Sequence, residues 1–197
     1  LAARKINPET PVVCPQSPQQ WRAWLQAHHT DHASAWLVYY KKNAAQPTLT
    51  WSEALCFGWI DSQAQPVDAA RYMQFFSRRK PTSGWSKVNK EKVQRLQAAG
   101  RMTPAGLASL ATAQRNGSWA LLDDVDALRI PPDLAQALAQ HPHAAYHFAR
   151  LSRTAKRYWL RCLVQAKRAA TRQRRIAEIL ALAPQPHNHT REPLADH

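Results

Sequence analysis

Between Ser17 and His29 the apolar residues Trp21, Trp24 and Leu25 recur at the three- and four-residue spacing that lays them along one side of a helix. Ser17 is placed to cap that helix, Pro18 suits its first position, and Gln20 completes a capping box. The next stretch, SAWLVYYKK at 34 to 42, crowds aromatic and β-branched residues together as a strand does. Thr50 and Glu53 form a second capping box, opening a short helix that Gly58 ends. From Trp59 to Gln65 and from Arg71 to Ser77 the pattern predicts two strands, joined by a turn at Pro66, Val67 and Asp68.

Beyond the loop KPTSG the period is helical. Helices are predicted over 86–99, closed by Gly100, and from Thr103 and Pro104 to about Gly117. Shorter ones follow at 118–123, 131–140 and 142–150; Ser152 then caps a long helix to about Arg168, and a last one runs over 171–183. The fold class that results is α+β: a small antiparallel sheet with flanking helices in the N-terminal half, and a helical C-terminal half ending in a basic helical hairpin. The organisation expected is an extended arm at 1–16, an α+β domain at 17–117, a helical region at 118–183 packed on it, and a disordered tail at 184–197.

A chain of 197 residues can bury a core without disulfides. Its three cysteines, Cys14, Cys56 and Cys162, are far apart and suit neither a disulfide framework nor a zinc site, so reduced thiols are expected. Cys56, among Leu55 and Phe57, reads as a buried and inert thiol. No apolar run reaches the length of about 18 residues that a membrane span needs, and 1–16 is too polar for a signal peptide, so a cytoplasmic location is expected. Only five glycines are present and no nucleotide-binding loop is among them, and His143 and His147, four residues apart, lack the company of a zinc motif. No cofactor, metal or catalytic residue is expected.

Charge adds most to this picture. Lys and Arg number 27 against 13 Asp and Glu, a formal net charge of +14, which suits a protein that meets polyanions. The basic residues cluster in two places. In RRKPTSGWSKVNKEK, 78 to 92, lysines stand in the first turn of a helix, where the backbone dipole prefers acids. A phosphate held by Arg78, Lys80, Ser83, Ser86 and Lys87 resolves that conflict; a solvated loop, with Ser86 as cap and Trp85 packed on the core, is the plainer alternative. Between Arg150 and Arg175 ten basic residues occur with no acid. Arg153, Arg157 and Arg161 repeat every four residues, a like-charge row that a counterion stabilises, while Trp159, Cys162 and Leu163 mark the opposite, apolar stripe. With Arg172 and Arg175 this row suits an anionic partner, nucleic acid first and an acidic protein second, and Tyr72 or Trp85 could stack a base.

Asp61 is the acid of interest. It shares a strand face with Trp59, and a half-buried carboxylate needs a partner, for which Arg71 and Arg78 are the candidates. Either they form a structural ion pair, or Asp61, Arg71, Tyr72, Arg78, Ser83, Trp85 and Asn89 line a polar pocket between the hairpin and the 86–99 helix, in an enzyme or small-ligand binder.

ALCFGWIDS, then RYMQFFSRRKPTSGWSKVNKEKVQRLQAAGRMTPAGL, then AKRAATRQRRIAEIL, in this order, resemble the YdeI/OmpD-associated family, also called bacteriocin-protection proteins. The resemblance runs from about Trp21 to Ala183 and rests on Cys56, Gly58, Trp59, Asp61, Arg71, Tyr72, Arg78, Lys80, Ser83, Trp85, Ser86 and Asn89, then on Ala166, Lys167, Thr171, Arg172, Arg175 and Ile176. It implies a role in stress or envelope protection against bacteriocins or cationic antimicrobial peptides, and carries no reaction or cofactor with it. Ala169 and Ala170 stand where the family usually has a Pro-Glu pair, so a more continuous join of the last two helices is expected.

Overall fold

A computed structural model of the chain describes residues 9–41 and 52–182. Residues 1–8, Thr50 of the second capping box and the tail from 184 lie outside the described residues. The chain divides into two compact units, Leu1–Leu121 and Leu122–His197. No helix among the described residues is long and apolar enough to cross a membrane.

The first unit is built on a four-stranded sheet of β1 (Val12–Val13), β2 (Ser34–Tyr40), β3 (Trp59–Pro66) and β4 (Arg71–Arg78), in the order β1-β2-β4-β3. β2, β4 and β3 pair antiparallel, as the sequence predicts; β1 adds a short parallel edge from within the expected arm. Two residues carry no period, so this edge has no sequence signal. The hairpin turn is closed by Asp68, whose Oδ1 accepts from the amides of Ala70 at 2.9 Å and Arg71 at 2.7 Å. Strand alternation then sorts the side chains: Leu37, Tyr39, Trp59, Asp61, Tyr72, Gln74 and Phe76 share one face, while Trp36, Val38 and Met73 cluster on the other.

Among the described residues of this unit, the sheet is accompanied by α1 (Pro18–His28), α2 (Ser52–Cys56), α3 (Lys87–Ala98) and α4 (Pro104–Arg115). Three of them begin as the sequence predicts, with Ser17, Ser86 and Thr103 accepting from the amide three residues on. Trp21, Leu25, Leu55, Cys56, Trp59, Phe76, Trp85, Val93 and Leu110 join in one core. Burial pushes the Cys56 thiol up, which keeps it protonated and inert. α4 presses on the end of α2 so closely that a Cβ on Gly106 would lie 2.2 Å from the Cys56 carbonyl oxygen. The Thr103 hydroxyl and amide donate to that same carbonyl at 2.6 and 3.1 Å, which fixes where α4 starts.

Glu53, read from the sequence as a capping residue, is 1 % exposed. Arg22 donates to its Oε2 at 2.9 Å, Arg101 to its Oε1, and Arg22 also to the Arg101 carbonyl at 2.9 Å. One carboxylate thus ties α1, α2 and the α3–α4 connection together.

The second unit holds α5 (Asp123–Asp126), α6 (Pro132–Ala139), α7 (Pro142–Arg150), α8 (Arg153–Gln165) and α9 (Ala169–Leu180) around Val125, Leu134, Leu138, Phe148, Leu160, Leu163 and Ile179. The helix expected at 118–123 is a turn instead, because the Ser118 amide donates to Asn116 Oδ1 at 3.0 Å and its hydroxyl to the Pro81 carbonyl at 3.0 Å. α8 stops three residues before the expected Arg168. The Arg172 Nη1 donates to the Leu163 carbonyl at 2.9 Å, and Ala166 turns to an extended backbone, so the two helices break where a more continuous join is expected.

Candidate functional site

The basic residues of the second unit divide by what they touch. Arg172 grips Asp133 through two parallel bonds, Nε to Oδ2 at 2.5 Å and Nη2 to Oδ1 at 2.9 Å, and this guanidinium holds the Asp133 carboxyl below the usual carboxylate range. Arg157 pairs with Asp126 at 2.9 Å, and Glu178 receives Arg175 at 2.7 Å and Arg174 at 3.7 Å. Three of the five arginines expected to face an anion therefore already hold a carboxylate. This corrects the picture of one uniform basic row: i, i+4 spacing shows which residues share a face, and says nothing of acids brought in from other elements.

What remains is narrower. Arg150, Arg153, Lys156, Arg161, Lys167 and Arg168 have no carboxylate partner among the described residues. Arg153 and Lys156 reach only carbonyl oxygens, of Asp126 at 3.4 Å and Ala149 at 2.7 Å. Among them stand the exposed aromatics of the described residues, Tyr146 at 65 % and Tyr158 at 59 % exposure. The Arg150 guanidinium lies 5.4 Å from the Tyr146 ring centre, and Tyr158 shares the outer row of α8 with the exposed Arg161. Neither tyrosine was among the sequence candidates. The signal for Tyr158 was nonetheless there, an aromatic in the polar row of an amphipathic helix.

In the first unit the candidates scatter. Asp61 Oδ2 accepts from Gln74 Nε2 at 2.6 Å, and neither expected arginine reaches it. Strand alternation explains Arg71, which points to the opposite face and pairs with Asp68 at 2.7 Å. Arg78 turns to the end of α1, donating from Nε to the carbonyls of His29 at 3.1 Å and His32 at 3.2 Å and from Nη2 to that of Thr30, where a cation meets the negative end of the helix dipole. Tyr72 stacks on Tyr39 with 5.2 Å between ring centres, and burial pushes both hydroxyls up. Trp85 is only 1 % exposed, so a base has no face of it to stack on. The Ser86 hydroxyl accepts from the Asn89 amide at 3.4 Å as the cap of α3, and the Ser83 amide closes a turn on the Lys80 carbonyl at 2.9 Å. Lys80 and Lys87 are both exposed. The polar pocket expected between the hairpin and α3 thus does not gather: Asp61, Arg71, Arg78 and Ser83 point to four separate places.

A cleft lies elsewhere in this unit. It has a volume of about 410 Å³ and opens between the end of α1, the α2–β3 junction, the end of β4 and α4. Arg78 is the sequence candidate that reaches it, beside Arg79, Thr30, Ser109 and Thr112 over an otherwise mostly apolar wall. The Arg79 guanidinium lies 3.7 Å from the Trp85 ring centre and donates from Nη2 to the Gly84 carbonyl at 2.5 Å. Its Nε and Nη1 are buried without an acceptor, and burial pushes its pKa down to about 10. Leaving one buried donor unmet costs about 1–3 kcal/mol, more on a charged group.

Fold and sites together define a two-unit α+β protein with a mixed sheet in its first unit and a second unit that is helical in its described residues and bears a basic, tyrosine-studded face. Residues 127–185, within the second unit, match the family described as "Bacteriocin-protection, YdeI or OmpD-Associated", the family that the sequence resembles. Residues 13–109 match a different family, a domain of unknown function (DUF8412), and that match takes in the motifs of the first half. No curated protein and no solved structure matches the chain.

Proposed function

We propose that the second unit binds single-stranded nucleic acid through the outer faces of α7 and α8 and the start of α9. The observation that carries this reading is the pair of exposed tyrosines, Tyr146 and Tyr158, set among basic side chains that hold no carboxylate. Water-exposed aromatic rings beside free cations suit a strand whose bases are unpaired: the rings take base faces, and the cations follow the phosphates. A duplex hides those faces, so single strands bind more tightly. Lys167 and Arg168 support the reading, since α9 starts with Arg168 at its cap position and no side-chain cap bond, leaving amides of the first turn open to a phosphate. In the setting the family description names, protection against bacteriocins, such a surface acts on an anionic cell component; a cationic peptide is repelled by like charge.

The test is fluorescence anisotropy of the full chain with labelled single- and double-stranded oligonucleotides. Single strands are expected to win, and Tyr158→Ala and Tyr146→Ala each to weaken binding by about tenfold, the worth of one stacked base. Equal binding of both forms with no effect of either tyrosine would reduce the face to a diffuse cation field. No binding at low salt, with binding to an acidic protein instead, would replace the reading by a protein-docking one.

A further inference from the structure

The cleft of the first unit carries an inference independent of the nucleic-acid reading. Among its described lining residues the unmet polar atoms are all of one kind: Arg79 Nε and Nη1 and Trp59 Nε1 are buried donors without acceptors, and behind them so is Nε1 of the Trp85 that Arg79 covers. Trp59 and Arg79 line the cleft. What this corner lacks is therefore oxygen acceptors, and since one of its donors is a guanidinium, it also lacks negative charge. Asp61 acts on Arg79 only from a distance, its carboxylate being engaged by Gln74 at 2.6 Å. The neighbouring Arg78 is turned toward the carbonyls at the end of α1, so its charge stays beside the cleft without a carboxylate of its own. The rest of the cavity is lined by the small residues Gly58, Ala105 and Ala108, with Gly58 packed so closely on α4 that an added Cβ would lie 3.0 Å from that of Ser109, by the apolar Phe57 and Pro81, and by the hydroxyl-bearing Ser109 and Thr112.

We propose that this cleft binds a small organic anion, a carboxylate or phosphate borne on a compact apolar body, with Arg79 as its charged partner. The anion group takes the donors of Arg79, drawing the guanidinium from its bond to Gly84 toward the cleft, and the apolar body lies over Ala105 and Ala108 against Phe57. An isolated inorganic anion makes only the first of these contacts and binds more weakly.

The experiment is a ¹⁵N NMR titration of the full chain with phenyl phosphate, benzoate and inorganic phosphate, each against chloride at equal ionic strength. Saturable shifts are expected at the amides of Gly58, Arg79 and Ser109 at about millimolar ligand or below, with phenyl phosphate or benzoate ahead of inorganic phosphate. The stronger of the two aromatic probes identifies the anion group. Arg79→Gln is expected to weaken binding about tenfold, the loss of a charge-assisted contact. Ala108→Phe fills the exposed rim with every charge left in place, and is expected to abolish binding of the aromatic probes; it decides the matter should Arg79→Gln not fold. Shifts that rise linearly, that persist unchanged in Ala108→Phe, or that fall only between 150 and 175 would overturn the proposal.

Discussion

Glu53 shows what a single side chain can hold. Its carboxylate is 1 % exposed and accepts from two arginines, one on each oxygen, so removing Arg22 leaves one buried oxygen without its charged donor, whereas surface pairs such as Arg129 with Asp124 contribute little. Arg22 is 31 % exposed on its side chain, which lowers the cost below that of a fully buried pair. Arg22→Ala is expected to destabilise the first unit by about 2–3 kcal/mol in urea unfolding, and Arg129→Ala by less than about 0.5 kcal/mol. Equal, small losses for both would mean that Glu53 is not held by the arginines. Neither the Glu53 clamp nor the role of Arg79 was legible in the sequence. A lone acid in a capping position and one arginine among several in a basic run take their meaning from residues 31 to 48 positions away, or from a cleft that only the fold assembles.

At the level of elements the sequence was far more informative. Caps at Ser17, Ser86, Thr103 and Ser152 lie where the polar-apolar pattern puts them, and three of the four strands lie where the pattern puts them and pair antiparallel as expected. These signals are local, one residue bonding the next turn, and so survive in the chain as text. What failed was partner choice across elements: Asp61 found Gln74 rather than an arginine, and Asp133 on α6 reached Arg172 on α9. The second of these pairs sets a pH dependence. Arg172 depresses the folded Asp133 pKa, so the pair adds stability above the unfolded carboxylate range, and that stability is lost as pH falls through the lower folded value. Asp133→Asn is therefore expected to lower the urea midpoint near neutral pH, yet to show a shallower fall between about pH 5 and pH 2.5 than the parent chain. An unchanged acid slope would remove Asp133 as a contributor.

At the level of the molecule two units carry two family matches, each with its own candidate site: a cleft with an unmatched arginine in the first, a basic face with exposed tyrosines in the second. The formal charge of +14 overstates what the second unit offers a polyanion, because four of the ten basic residues from Arg150 to Arg175 are held by carboxylates. The six left set a number that binding can report. Each phosphate neutralised on a single strand adds about −0.7 to the slope of log affinity against log salt concentration, so six contacts give about −4 and ten give about −7. The measurement that tests the account most directly is this slope, from anisotropy titrations of the full chain with a labelled single-stranded oligonucleotide over a salt series. A slope near −4 is the predicted result; a slope near zero, or no binding at the lowest salt, would contradict a nucleic-acid surface on this unit.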